Sequence, residues 1–393
     1  MKLLPLAFSV MVLLLYLIYE RVSMNRQRNA ISLRISVTGT RGKSSVARMI
    51  ASMLREDGRK VIAKTTGSQA RFILPDAQEI AVARRGVTSI IEQKRLIKKA
   101  AKIKADCLVA EIMSIHSENH FVESQQILQP HIVVITNVRQ DHTEAMGATK
   151  EEIAAVLSLD IPAKAKVFVP EKENQPHFAT AVKNAAGELI AVPDGVSSPL
   201  LHLAPELKRK EFSDNLDLVY ALGKHLHFDQ KVILNGIRQA RHDIGTFKIW
   251  KHRSPETQKT YYFINGFAAN DPESTWQVIA KVKEILPSAS DKLIGLLSLR
   301  ADRGDRTKQW LESLSNGAHN GFSRIYVTGA HSQIVRRKLQ AVCVLKNKPP
   351  ETMMKTMLAD SEDQSVIFGF GNIKGTGEHL VDYWNKIGAA YEL

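Results

Sequence analysis

The stretch "ISLRISVTGTRGKSS", residues 31–45, carries an alternating apolar run into Gly-Lys-Ser, the ending of a phosphate-binding loop. The usual loop reads G-x-x-x-x-G-K-[ST]. Counting back from Gly42 puts Val37 where its first glycine belongs, and an extra glycine stands at Gly39 instead. Leu33, Ile35 and Val37 alternate on one face of a predicted strand. Val46, Met49, Ile50, Met53 and Leu54 form one stripe of the helix that follows, and Gly58 ends it. A strand, a glycine turn and a helix are the context that phosphate binding needs. Loop amides and the helix N-terminus face the anion, Lys43 reaches its β and γ oxygens, and Ser44 offers a hydroxyl to a hard cation. Arg41 adds a second cation. The competing reading is a glycine-rich turn with a stray lysine.

Outward from the loop, "KVIAKTT", "DCLVAEI" and "HIVVITN" read as further buried strands reached through helical or loop sequence. This alternation predicts a parallel sheet with helices on both faces. A second series, "TYYFING", "KLIGLLSL", "RIYVTG" and "SVIFGFG", follows a helical stretch over "SDNLDLVYALGKHLHFDQKVILNGIRQARH". The expected fold is α/β: a P-loop-type parallel-sheet ATPase domain, then a smaller Rossmann-like domain, behind an N-terminal transmembrane helix. The expected boundaries are 1–30 for an anchor and basic linker, 31–243 for the ATP-binding domain, and 244–393 for the C-terminal domain. Residues 174–205, rich in Pro, Gly, Ser and Ala, resist assignment.

"LLPLAFSVMVLLLYLIY", Leu3 to Tyr19, has no charge. As a helix it covers roughly 25 Å, close to the ~30 Å of a bilayer's hydrocarbon core. A signal peptide is the alternative, but no small-x-small site follows. Arg21, Arg26, Arg28 and Arg34 lie after the segment, against Lys2 and the terminal amine before it. The positive-inside rule therefore predicts a single-pass cell-membrane protein with its catalytic domains in the cytoplasm. The formal charge of +14 favours anionic partners, among them nucleotides, polyanions and acidic membrane surfaces. The basic residues are scattered without an aromatic stacking pattern, which argues against nucleic acid. Cys107 and Cys343 each sit among apolar residues and read as buried thiols in a reducing compartment.

Two more strand ends carry polar groups. "LVAEIMS" ends in Glu111, and "VVITNVRQDHTEAMG" supplies Asn137, Asp141 and His142. Ligands of open α/β sheets sit beyond the carboxyl ends of the strands, so both clusters belong to the rim that carries the phosphate loop. There a carboxylate and an imidazole can hold a metal between a phosphate and a second substrate. Equally, Glu111 reads as an ion-pair partner and His142 as a loop residue bonded to Asp141.

"TGTRGKSS", "AEIMS" and "ITNVRQDHTEAMG" together resemble the Mur ligases and folylpolyglutamate synthetases, ATP-dependent amide ligases. Their loop reads G-T-x-G-K-[ST] without the early glycine, and their T-N-x-x-x-D-H signature matches Thr136 to His142. The resemblance runs over roughly residues 31 to 380 and is strongest before residue 150. With an anchor leading straight into the ATPase domain, the layout is similar to the ligase subunits of bacterial poly-γ-glutamate (capsule) synthases. The resemblance implies nucleotide binding by Gly39, Thr40, Arg41, Gly42, Lys43, Ser44 and Ser45, with Asn215 at adenine and Asn265 where the family often has a ribose-binding aspartate. It implies Mg²⁺, with Mn²⁺ as an alternative, held by Ser44, Glu111 and His142, and a catalytic set of Lys43, Glu111 and His142.

Some family features depart. Thr246 follows Gly245 where Gly-Arg is usual, His116 is one residue out of step with a family histidine, and no carbamylated lysine can be placed between residues 160 and 212. The implied reaction activates a glutamate-chain carboxylate as an acyl phosphate and joins glutamate to it. The product is poly-γ-glutamate for a capsule or secreted polymer. Arg71, Arg84 and Arg85 are candidates for the substrate carboxylates, the alternative being a solvated basic face. Small membrane subunits of a synthase and export complex are the implied partners; a passive tether is the simpler reading of the anchor. Two rivals remain, a membrane-tethered P-loop ATPase or kinase regulating capsule polymer export, and a non-catalytic nucleotide sensor. The export reading requires clustered aspartates at a strand end, and the sensor leaves Glu111 and His142 without a task.

Overall fold

The computed structural model describes residues 3–67, 70–84, 86, 88–241, 247–316, 321–339, 342–346 and 348–391. The expected boundary at residue 243, the Gly245–Thr246 position and Arg85 lie outside these residues. The chain forms two compact units. One comprises 1–139, 145–203 and 213–241; the other comprises 140–144, 204–212 and 242–393.

Helix α1 runs Leu3–Asn29. Among the described residues it is the one helix long and apolar enough to cross a membrane, and its apolar window is wholly uncovered by the rest of the chain. The helix continues ten residues past Tyr19. There the basic stretch docks on the first unit, with the Arg28 guanidinium donating to the carbonyls of Gln126 and Ile127 at 3.0 and 3.2 Å. Lys94 pairs with Glu20 at 2.8 Å.

The first unit's strands are β1 (Leu33–Thr38), β2 (Val61–Thr65), β3 (Arg71–Ile73), β4 (Glu79–Ala81), β5 (Cys107–Glu111), β6 (Ile132–Ile135), β7 (Lys166–Pro170) and β8 (Glu188–Val192). Their order is β4-β3-β2-β5-β1-β6-β7-β8. From β2 to β8 all pairings are parallel, as the alternation predicts, and β1 lies between β5 and β6. The β3–β4 hairpin was not expected. It turns at Pro75 and Asp76, with Ala77 in the left-handed region at φ 63° and the Leu74 amide donating to the Gln78 carbonyl. The unassigned stretch from 174 to 205 contains a helix (Pro176–Asn184), β8 and a second short helix (Ser198–Leu203).

Helix α2 (Lys43–Glu56) buries the predicted stripe of Val46, Met49, Ile50, Met53 and Leu54 completely. A helix over Gln230–Gln239 crosses it so closely that a Cβ on Gly236 would stand 2.3 Å from the Met53 Cα.

The second unit holds β9 (Ile249–Arg253), β10 (Thr260–Asn265), β11 (Leu293–Leu299), β12 (Arg324–Gly329), β13 (Val342–Val344), β14 (Ser365–Gly371) and β15 (Ala389–Ala390). The order is β13-β12-β11-β14-β10-β9-β15, parallel from β13 to β10 with an antiparallel edge. Trp384 stacks on Phe263 and Phe267 over one face of this sheet. Cys107 is buried as expected, but Cys343 is exposed. It sits on the edge strand β13, where alternation turns it outward after buried Val342.

The Gly236 contact is backbone against backbone, so no rotamer change relieves an added methyl. Gly236→Ala is expected to cost about 2 kcal/mol and to lower the melting temperature by about 5 °C. Gly304→Ala, whose methyl would meet nothing within 4 Å, should leave it unchanged in the same thermal melt.

Candidate active site at the phosphate loop

The loop between β1 and α2 is held by its own backbone and by Asn137, just past β6. Gly39 takes φ 118° and Gly42 takes φ 78°, both in the region that disfavours side chains. A Cβ on Gly39 would meet the Thr136 hydroxyl at 2.3 Å, and one on Gly42 would meet the Asn215 side-chain oxygen at 2.7 Å. The Asn137 Oδ1 accepts from the Thr40 hydroxyl at 2.7 Å and from the Arg41 amide at 2.9 Å, while its Nδ2 donates to the Arg41 carbonyl at 3.1 Å. The Thr40 hydroxyl also accepts from the Arg139 amide, so this side chain belongs to the loop's frame. Lys43 bends over the loop, donating to the Gly39 carbonyl at 2.6 Å. No side chain caps the N-terminus of α2. The helix dipole there is aimed at an anion.

Glu111, at the carboxyl end of β5, meets the loop. One carboxylate oxygen accepts from the Ser44 hydroxyl at 2.7 Å and from the Thr66 amide at 2.6 Å. Two hard oxygens side by side at a phosphate loop fit a small divalent cation, which commonly takes one or two carboxylate or hydroxyl ligands and completes its shell with phosphate and water. Among the described residues no group of three or more His, Cys, Asp or Glu side chains gathers as a metal cluster. His142 is placed on the segment 140–144, which packs with the second unit. It has φ 48°, with its ring 3.7 Å from the Asp141 carboxylate. The Arg306 guanidinium donates to that carboxylate, and Arg303 lies 3.6 Å from it. This pairing joins residues 165 positions apart and has no local signal in the sequence.

The remaining site residues are spread more widely. Asn215, on the helix Ser213–His225, is 6% exposed and stands against Gly42. Ser45 is half-buried in the first turn of α2. Asn265 ends β10 in the second unit and is buried. Arg71 begins β3, opposite Thr65. Arg84 chelates Glu92 at 2.7 and 3.2 Å, and Glu92 also pairs with the fully buried Lys64 at 3.2 Å. Burial pushes the Lys64 ammonium down, against the opposing pull of Glu92, Glu123 and Glu111. Arg84 therefore neutralises a neighbour in this structure, which its sequence context did not foretell.

In the second unit a cleft of about 360 Å³ opens beyond the carboxyl ends of β11, β12 and β14. Arg300, Asp302, Gly329, Lys374 and Thr376 line it. The connection leaving β11 turns toward β12 and the chain leaving β14 turns the other way, so the cleft lies at a topological switch point.

Residues 37–234 match the family described as Mur ligase middle domain, and residues 251–387 match the poly-gamma-glutamate synthase CapB C-terminal domain. The chain is 29% identical to the PGA synthase CapB of Bacillus subtilis over 390 residues, covering 96% of each protein. It is 28% identical to the capsule biosynthesis protein CapB of Bacillus anthracis over 382 residues, 94% of this chain and 80% of that protein. Among solved structures, a bifunctional folylpolyglutamate synthase/dihydrofolate synthase with Mn, AMPPNP and L-glutamate bound aligns at TM-score 0.69. The identity is 12%, with 93% of this chain and 92% of that one covered, and the likeness is one of fold.

Asn137→Ala leaves the Arg41 amide and the Thr40 hydroxyl without their acceptor. The expected result is at least an approximately tenfold weaker ADP affinity, read by titration calorimetry, while the apo melting temperature falls by only a few degrees.

Proposed function

The chain belongs to the Mur ligase family, and on that premise we propose that it joins glutamate units through γ-amide bonds to build poly-γ-glutamate. It is an ATP-dependent amide ligase. One observation carries the choice of polymer: the Mur ligase middle domain continues, in the same chain, into the C-terminal domain of poly-γ-glutamate synthases.

In the proposed reaction a carboxylate oxygen of the growing chain attacks the γ-phosphorus of ATP. The bond to the β–γ bridging oxygen breaks, and ADP leaves. The amine of the incoming glutamate then attacks the acyl carbon, the carbon–oxygen bond to phosphate breaks, and the nitrogen gives up a proton as the amide forms. Catalysis is mainly positioning and charge neutralisation. The Gly39–Ser45 loop and the N-terminus of α2 hold the polyphosphate, and Lys43 follows the charge on its terminal oxygens. Asn215, against Gly42, is assigned to the adenine, and Asn265 to the ribose. Ser44 and Glu111 would hold Mg²⁺ or Mn²⁺, and the family pattern adds His142 to that set. When bound, the cation supplies charge neutralisation at the phosphates. Arg71 is kept for a carboxylate of the growing chain.

Helix α1 fits a membrane anchor. Its basic continuation supports a single pass with both units in the cytoplasm, where ATP is available, and small membrane subunits of an export complex as partners. Membranes carrying the full-length protein should release ADP and phosphate only when glutamate is supplied. Lys43→Ala should reduce this by at least ~10³-fold while the protein stays in the membrane fraction. Release of AMP and pyrophosphate, or full turnover by the Lys43 variant, would refute the proposal.

A further inference from the structure

Directly beneath the phosphate loop lies a buried polar chain that none of the steps above uses. Thr38, the last residue of β1, precedes Gly39. Its hydroxyl donates to the Asp160 carboxylate at 2.5 Å, and both oxygens of that carboxylate face the Nδ1 of His120, at 3.0 and 2.9 Å. The three side chains are 0–2% exposed. His120 lies in the short helix α4 (Ser117–Phe121), which is continued by a π-helical turn over Val122–Leu128. From that turn the Ser124 hydroxyl donates to the Asp160 carbonyl at 2.6 Å, so Asp160 is tied to this segment by both main chain and side chain.

An isolated buried carboxylate is costly, and a structural role alone would be met more simply by apolar packing. Here the Asp160 carboxylate favours the protonated form of the imidazole. Burial disfavours the charge, but the charge and hydrogen bond of Asp160, helped by Glu123, outweigh it and push the His120 pKa up. The Lys43 ammonium, on the loop side, opposes that rise. The His120 Nε2 is buried without a hydrogen-bond partner. Leaving such a group unmatched costs about 1–3 kcal/mol. On the other side of the strand end, the Thr38 carbonyl accepts from the Thr136 amide and hydroxyl at 2.9 and 3.2 Å. Thr38 is thus gripped through backbone and side chain, one residue before the glycine whose φ of 118° starts the loop.

We propose that His120, acting through Asp160 and the Thr38 hydroxyl, is a positioning residue for the phosphate loop. The buried chain fixes where β1 hands over to Gly39, and so sets the loop's grip on a nucleotide polyphosphate. The inference rests on the ligase reading only for the reaction that the loop serves; nucleotide binding tests it separately.

The test uses the full-length protein in lipid nanodiscs, with ADP binding by calorimetry, ATP-dependent turnover and thermal melting read in parallel. Thr38→Val removes the hydroxyl and keeps the shape, and Thr38→Ser restores the hydroxyl. His120→Ala breaks the chain at its other end, and His120→Asn keeps a donor where Nδ1 stood. Thr38→Val and His120→Ala should each raise the ADP Kd and the ATP KM about tenfold, with kcat within about twofold. The serine and asparagine variants should recover most of the loss. If Thr38→Val lowers the melting temperature but leaves the ADP Kd within twofold, the role is structural and the inference falls. The Thr38 pair decides the matter even where His120→Ala does not fold. Nucleotide binding without glutamate-dependent ADP release would refute the ligase reading and leave this inference to be decided on Kd alone.

Discussion

Three hydrogen bonds between the Asn137 side chain and the backbone and hydroxyl of Thr40–Arg41 join the carboxyl end of β6 to the loop that leaves β1. The other features of the loop depend on them. A glycine at position 37 would relax the strand, and Val37 is instead a fully buried member of the sheet. The flexibility that the usual loop places there is moved to Gly39, where the Thr136 hydroxyl leaves no room for a side chain. With the Thr40 and Arg41 amides spent on Asn137, the loop's path into the first turn of α2 is fixed in advance. That is the condition under which hydrogen bonds and dipoles do the most for a developing charge.

The neighbouring oxygens follow the same logic. Glu111 ends β5 and Ser44 lies in the first turn of α2, so parallel pairing of β1 with β5 is what brings them to 2.7 Å. The same pairing aligns Val37 with Glu111 across the strands. A one-residue slip would turn the carboxylate to the other face of the sheet. Fold and site are therefore one constraint here: the sheet's register sets the distance between the Ser44 hydroxyl and the Glu111 carboxylate.

Much of this was readable in the residues. The stripe of α2, the parallel order implied by alternating strands, and the grouping of Glu111 and Asn137 with the loop all follow from spacing and from the rule that ligands gather at strand ends. What was hidden depends on partners far along the chain or on the phase of a short element. The Asn137 clamp links residues 96 apart, and the contacts His120–Asp160 and Thr38–Asp160 span 40 and 122 positions. Arg84 looked available for substrate because its partner Glu92 lies across a turn in α3 (Ile91–Lys102), with no local pattern to announce the pair. The β3–β4 hairpin has only three residues per strand, too few for a period to register. Cys343 was misjudged because an edge strand turns alternate residues outward even when they lie among apolar neighbours.

The central claim is that the loop serves carboxylate activation through an acyl phosphate. Oxygen transfer tests it most directly. With the chain-end carboxylates of the acceptor labelled with ¹⁸O, turnover with ATP and unlabelled glutamate should place one labelled oxygen in the released phosphate for each amide formed, and none in ADP. Unlabelled phosphate alongside normal amide formation would contradict the account, because the carboxylate oxygen would then never have been bonded to the γ-phosphorus.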